Sequence, residues 1–179
     1  MNLTEKKLSS RSVFSGKIFS VTVDEVELPD KSKSVRECVR HNGGAAVLLV
    51  IEGKIALVKQ HRYLYGKDIY EIPAGKTEPG EEPLLAAMRE CEEETGYRAE
   101  CRHLLALYPS PGYTSEVIHI FTAHNARFVG QRTDEGEFLT CKFFPVEEVV
   151  SMIERGEICD AKTVAAVYKY LYGNVARKA

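Results

Sequence analysis

A mixed α/β sandwich with a β-hairpin-like appendage at its N-terminus is the fold class that this sequence predicts, on three observations. Lys17 to Leu28 alternates in a β-rich pattern, and turn residues separate it from a second candidate strand at Ser34 to His41. The run Ala45 to Ile51 is apolar enough for a central strand buried on both faces. Beyond it the candidate elements follow as strands, helix, strands and helices, which is not the strict alternation of a doubly wound sheet. With 179 residues and 44% hydrophobic content, the chain can bury one good core and leave length for an appendage.

In chain order, Lys17 to Leu28 reads as the first strand, Pro29-Asp30-Lys31-Ser32 as a turn, and Ser34 to His41 as the second strand. These form an N-terminal β appendage over residues 1–42, with a main domain over 43–179. Ala45 to Ile51 and Lys54 to Gln60 flank the turn Glu52-Gly53, and a mixed segment from His61 to Pro73 leads into a loop at Ala74 to Gly80. Glu81-Glu82-Pro83 opens a helix, since proline suits a first turn, and Gly96 closes it. On that helix Leu84, Ala87, Met88, Cys91 and Thr95 share the face expected to pack on a sheet. Strands follow at Ala99 to Tyr108, Glu116 to His124 and Glu137 to Phe144. Helices follow at Val146 to Arg155 and Ala161 to Tyr172, the last capped by Asp160.

Composition excludes several function classes. The 24 basic residues nearly balance 26 acidic ones, so no general attraction for nucleic acid or membrane is built in. Five widely spaced cysteines without a C-x-x-C pair argue against a disulfide framework or a zinc site and read as reduced thiols. No segment reaches the roughly 20 apolar residues that cross a bilayer, nor does the start resemble a signal peptide, so a cytoplasmic location is the default.

The chemistry concentrates between Gly75 and Tyr97. At roughly 100° per residue, Glu90, Glu93 and Glu94 fall within one arc, opposite Leu84, Met88 and Cys91. Like charges at this spacing repel, and near a helix C-terminus the macrodipole disfavours them further. A divalent cation would relieve both effects, and an all-oxygen donor set suits Mg²⁺ or Mn²⁺ rather than zinc. From spacing alone, a solvated acidic face is an equally good account.

The whole stretch resembles the Nudix box: Gly, five residues, Glu, seven residues, then Arg-Glu-apolar-any-Glu-Glu-any-Gly-apolar. Gly75, Glu81, Arg89, Glu90, Glu93, Glu94 and Gly96 occupy every fixed position, with Cys91 and Tyr97 where aliphatic residues are usual. The resemblance implies a Nudix-type α/β/α sandwich with a mixed sheet. It also implies a metal site made by Glu90, Glu93, Glu94 and the carbonyl of Ala74. Glu81 and Arg89 would orient the carboxylates, and Gly75 and Gly96 would shape the loop–helix–loop.

Further segments resemble the ADP-ribose pyrophosphatase-like subfamily. They are Pro111-Gly112-Tyr113 after the box, Arg40-His41 with Gly43-Gly44, Gln60-His61-Arg62-Tyr63, and Ile158 to Thr163. This implies hydrolysis of ADP-ribose to AMP and ribose 5-phosphate, or of a close nucleoside diphosphate sugar. Arg36, Arg40 and Arg62 would bind diphosphate oxygens and Glu116 the ribose hydroxyls, beside Pro111 and Gly112. Each arginine is equally readable as a surface ion pair. Thr133 to Phe138 resembles the acidic loop that supplies the catalytic base, with Glu135 and Glu137 as candidates and Glu137 also a possible metal ligand. The subfamily resemblance further implies a homodimer in which the N-terminal strands reach the partner. Dinucleoside polyphosphates and NADH are rival substrates, and a non-catalytic ligand-sensing domain is the reading from another class.

Overall fold

The computed structural model describes residues 2–133 and 136–173. The chain divides into two compact units, Met1–Gly43 with Tyr108–Val117, and Gly44–Leu107 with Ile118–Ala179.

The first unit is an antiparallel three-stranded sheet of β1 (Lys6–Ser15), β2 (Phe19–Glu27) and β3 (Lys33–His41), in that order. The β2–β3 turn forms where the sequence places it: Lys31 takes a positive φ, and the Ser32 amide donates to Asp30 Oδ1 at 2.9 Å. The appendage is nevertheless not a hairpin, because β1 adds a third strand that sequence reasoning missed. Lys6–Ser15 is exposed along its whole length, and two register shifts interrupt its pairing with β2, so it carries no buried alternation to read. Residues 108–117 join this unit through β3. The Val39 amide donates to the Tyr113 carbonyl at 2.8 Å, and the Ser115 amide donates to the Val39 carbonyl at 2.9 Å.

The second unit contains two sheets. β4 (Gly44–Leu48), β8 (Ala74–Lys76), β9 (Tyr97–Leu107) and β10 (Ile118–Phe128) make one, ordered β8-β4-β10-β9. It is mixed, because β4 and β10 run parallel while the other pairs are antiparallel. β5 (Val50–Ile51), β6 (Lys54–Arg62), β7 (Lys67–Glu71) and β11 (Leu139–Pro145) make an antiparallel second sheet around β6. The expected single strand Ala45 to Ile51 is thus split at Leu49 between the two sheets. The expected loop around Ala74 contains a short strand that exists only because β4 pairs with it. Neither feature is local, so neither shows in the residue pattern.

Both faces of β4 are covered. Ala46 and Leu48 join Ile55, Leu57, Ile72 and Ile120 in a core closed by α2 (Val146–Glu154) and α3 (Ala161–Gly173). Ala45, Val47 and Leu49 pack the other way, with Ala86, Ala87 and Cys91 of α1 (Pro83–Thr95). The period of two sends alternate residues of one apolar run into two cores. Each fully buried Leu or Ile there contributes about 1.5–3 kcal/mol.

Helix α1 begins on Pro83 and ends at Gly96, whose φ of 78° and N–H bond to the Glu92 carbonyl close the helix as read from the sequence. A side chain at Gly96 would also lie 2.8 Å from the Gln131 amide nitrogen, so this end has no room for one. The buried face is rotated from the expected one. Ala86, Ala87, Glu90, Cys91, Glu94 and Thr95 are buried, whereas Leu84 is exposed. Small alanines allow the helix to approach the sheet closely, and the rotation carries two carboxylates inward. Asp160 caps α3 as expected, its Oδ2 accepting the Thr163 amide at 3.0 Å. No helix among the described residues is long and apolar enough to cross a membrane.

Candidate active site

The carboxylates of α1 line up against β8. Glu94 is 2% exposed, and its Oε2 accepts the Ala74 amide at 2.8 Å. Glu90 is buried one turn earlier, beneath Gly75. A β-carbon at Gly75 would stand 1.8 Å from Glu90 Oε1, so glycine is what allows the strand to pass over this carboxylate.

Arg89 organises the outer part of the cluster. Its Nη1 donates to Glu90 Oε1 at 2.7 Å and to Glu93 Oε2 at 2.9 Å. Its Nε and Nη2 reach the two oxygens of Glu81 at 3.2 and 3.3 Å. Glu81 Oε2 also accepts the Glu78 amide at 2.9 Å, which ties the loop to the helix. The guanidinium holds Glu81 below the ordinary carboxylate range. Burial acts oppositely on the inner pair. It raises the pKa of Glu90 despite Arg89, and it pushes Glu94 up to about 8.

The charge of Glu137 adds to both of those upward shifts. Gln60 Nε2 stands 3.5 Å from Glu137 Oε1. Glu137 also lines a cavity of about 720 Å³ with Lys59, His61, Asp68 and Phe138. Glu135, the other candidate base, lies outside the described residues.

Glu90 and Glu94, buried side by side on one helix face with Glu93 on the next position of the same turn, supply only hard oxygen donors, the chemistry that fits a divalent cation. Arg89 bridges Glu90 and Glu93, and the described residues do not close into a three-carboxylate cage. The Ala74 amide faces Glu94.

Arg62 lies in the same unit but is not solitary. Its Nε and Nη2 donate to Glu71 at 2.6 and 2.7 Å, and Glu71 also accepts from Lys162 Nζ. Burial pushes the Glu71 carboxyl up, but its two cations more than offset this and hold it below the usual range. Sequence reasoning missed Glu71 and left Lys162 without a role, since an ion pair between β7 and α3 has no local signature. Gln131 was also missed, although its amide donates to the Glu94 carbonyl at 2.6 Å.

The remaining substrate-binding candidates sit in the first unit. Arg36 pairs with Glu5, and Arg40 donates to the buried Asp24 at 2.7 Å. Glu116 stands 3.7 Å from His41, and Pro111 and Gly112 are exposed in the loop bound to β3. All three arginines thus make ion pairs, the alternative left open by the sequence.

A family model described as NUDIX domain matches residues 40–167, and one described as nucleoside diphosphate sugar hydrolase N-terminal domain matches residues 5–43. The chain is 43% identical to an ADP-ribose pyrophosphatase of Bacillus subtilis (strain 168), over 93% of this chain and 92% of that protein. It is 41% identical to a methanol dehydrogenase activator of Bacillus methanolicus, covering 91% and 90% of the two chains. A solved structure described as an ADP compounds hydrolase superposes with a TM-score of 0.87 at 21% identity, covering 99% of this chain and 98% of that one, and establishes the shared fold.

Proposed function

This chain belongs to the Nudix family of hydrolases, and from that premise we propose that it hydrolyses the diphosphate bond of a nucleoside diphosphate sugar, ADP-ribose foremost, with Mg²⁺ as its cofactor and Mn²⁺ as a workable substitute. The observation that carries this reading is the carboxylate cluster on α1, with Glu90 and Glu94 buried and Glu137 within their electrostatic reach. The similarity to an ADP-ribose pyrophosphatase along nearly the whole chain supports the substrate. The match of residues 5–43 to a nucleoside diphosphate sugar hydrolase module supports it too.

Glu90, Glu93, Glu94 and the Ala74 carbonyl are the residues assigned to hold the metal. When bound, Mg²⁺ stabilises the negative charge that develops on the diphosphate and acidifies the attacking water. Arg89 and Glu81 orient these carboxylates through the contacts described above. Glu137, with Glu135 as the alternative, takes the proton of the attacking water. Arg62 binds a diphosphate oxygen, as do Arg36 and Arg40, while Glu116, Pro111 and Gly112 contact the sugar and nucleoside. Water adds to one phosphorus and the anhydride bond breaks, so ADP-ribose yields AMP and ribose 5-phosphate.

The test is a panel of ADP-ribose, other nucleotide sugars, NADH and diadenosine polyphosphates, each with Mg²⁺ and with excess chelator. We expect chelator-sensitive release of AMP chiefly from ADP-ribose. Faster turnover of another member would move the substrate and keep the chemistry, and metal-independent turnover would sink the mechanism. Total inactivity would return the ligand-sensing reading.

Residues 1–42 serve in this proposal as a dimerisation part and 43–179 as the hydrolase domain. The outer edge of β1 has no pairing strand among the described residues, and Val13 and Phe14 on it are each about half exposed. Such an edge suits pairing with a second copy. Light scattering at micromolar concentration should give twice the 20.1 kDa chain mass, and the single-chain mass would refute the dimer. The described cysteines are all unbridged, which suits a reducing compartment such as the cytoplasm.

A further inference from the structure

Four side chains from three elements form a continuous polar chain of which the assignment above uses only one. Arg62 ends β6, Glu71 ends β7, Lys162 lies in the first turn of α3, and Asp160 caps that helix from the position before it. Glu71 Oε1 accepts Arg62 Nε, while Oε2 accepts both Arg62 Nη2 and Lys162 Nζ. Lys162 Nζ donates also to Asp160 Oδ1 at 3.0 Å. The chain closes on itself, because Asp160 Oδ2 accepts from Thr163 and the Thr163 hydroxyl oxygen accepts the Ile72 amide at 2.8 Å. Glu71-Ile72 is therefore fastened twice to the first turn of α3, two residues before Ala74.

Glu71 and Lys162 are both more than nine-tenths buried. Burying such a pair gives little net stability, since well-packed apolar residues commonly do as well. Anchoring α3 is thus a weak reason for the arrangement. Its geometric effect is stronger. A guanidinium that is 43% exposed on its own would sample many rotamers. The two-point contact through Nε and Nη2 fixes its plane and leaves three N–H groups, two on Nη1 and one on Nη2, directed away from Glu71. Lys162 in turn fixes Glu71. The charge of Glu94 acts on Arg62 and that of Lys162 on Glu94, so the fastened guanidinium lies within the electrostatic field of the carboxylate cluster.

We propose that Lys162 and Asp160 are positioning residues that act through Glu71 to hold the Arg62 guanidinium ready for the substrate diphosphate. This rests on the nucleoside diphosphate reading above. It gives a role to the segment Ile158 to Thr163, which resemblance singled out without a function.

The test compares Asp160→Asn, Lys162→Met and Arg62→Met, singly and with each of the first two combined with the third. Asparagine still caps the helix but removes the charge facing Lys162. Asp160→Asn and Lys162→Met should each raise KM for ADP-ribose about tenfold with kcat nearly unchanged, the pattern of lost uniform binding. Calorimetric affinity for ADP should fall by a similar factor. In the Arg62→Met background neither change should have a further effect. Additive effects, or a lower melting temperature with KM and ADP affinity intact, would overturn the proposal. Should Lys162→Met not fold, Asp160→Asn decides alone. ADP affinity is read whether or not ADP-ribose is turned over, so a wrong substrate is distinguishable from a wrong positioning role.

Discussion

Glu94→Gln is expected to lower turnover of ADP-ribose by about a thousandfold, the scale set by removing one preorganised electrostatic contact in an active site, and to leave the fold intact. Both halves follow from the surroundings of this residue. Glu94 is buried against β8 and pushed up to about 8, so near neutrality the pocket already favours an uncharged side chain. Glutamine has the same shape and can still accept the Ala74 amide. It cannot supply the negative charge that a divalent cation requires. A second readout separates the two halves. Mg²⁺ at about 100 times its Kd should stabilise the wild type by about 2.7 kcal/mol through binding to the folded state alone. That rise in melting temperature should vanish in Glu94→Gln. Near-wild-type turnover, or an unchanged metal-dependent rise, would sink the metal assignment.

Gly75→Ala should cost about a hundredfold in kcat while the protein stays folded. Among the described residues, the nearest atoms to the added methyl belong to the Glu90 carboxylate, at 1.8 to 2.7 Å. A side-chain end can move, so the strand survives. Overpacking of this kind costs about 1–3 kcal/mol. The carboxylate, however, must leave its place and with it the Arg89 bond at 2.7 Å, which disperses the group that also orients Glu93. Steady-state kinetics alongside thermal melting monitored by circular dichroism would check this. Kinetics matching the wild type would mean that Glu90 has a second productive position, and a collapse of the melting transition would mean that the strand cannot absorb the methyl.

Much of the site was legible because its residues are close in sequence. Helix α1, its proline start and its glycine end stand where the pattern places them, and Glu81, Glu90 and Glu93 all accept from Arg89, the residue that the resemblance had set among them. The helix face was read less well. Amphipathic projection ranks Leu84 as buried and Glu90 and Glu94 as outward, whereas the sheet accepts Ala86 and Ala87 and draws both carboxylates in. Projection treats every apolar residue as core, but close approach between a helix and a sheet selects small residues. Strand β1 escaped notice for a related reason: a wholly exposed strand is defined by its hydrogen bonds to β2 and not by any burial pattern.

By itself the sequence determined the Nudix family, the mixed α/β class, the turn and helix boundaries, and the identity of the acidic residues. The family was legible through the resemblance of one contiguous motif, the class through the order of elements along the chain, and the boundaries through local turn and cap residues. Only the tertiary structure decided that β4 would be shared between two cores, that Glu90 and Glu94 would be desolvated, and that Arg62 would be held by Glu71 and Lys162. Lys162 and Glu71 are separated by 91 residues. Such a contact exists only after α3 has docked, because burial and ion pairing depend on distance in space, which no local pattern of residues encodes.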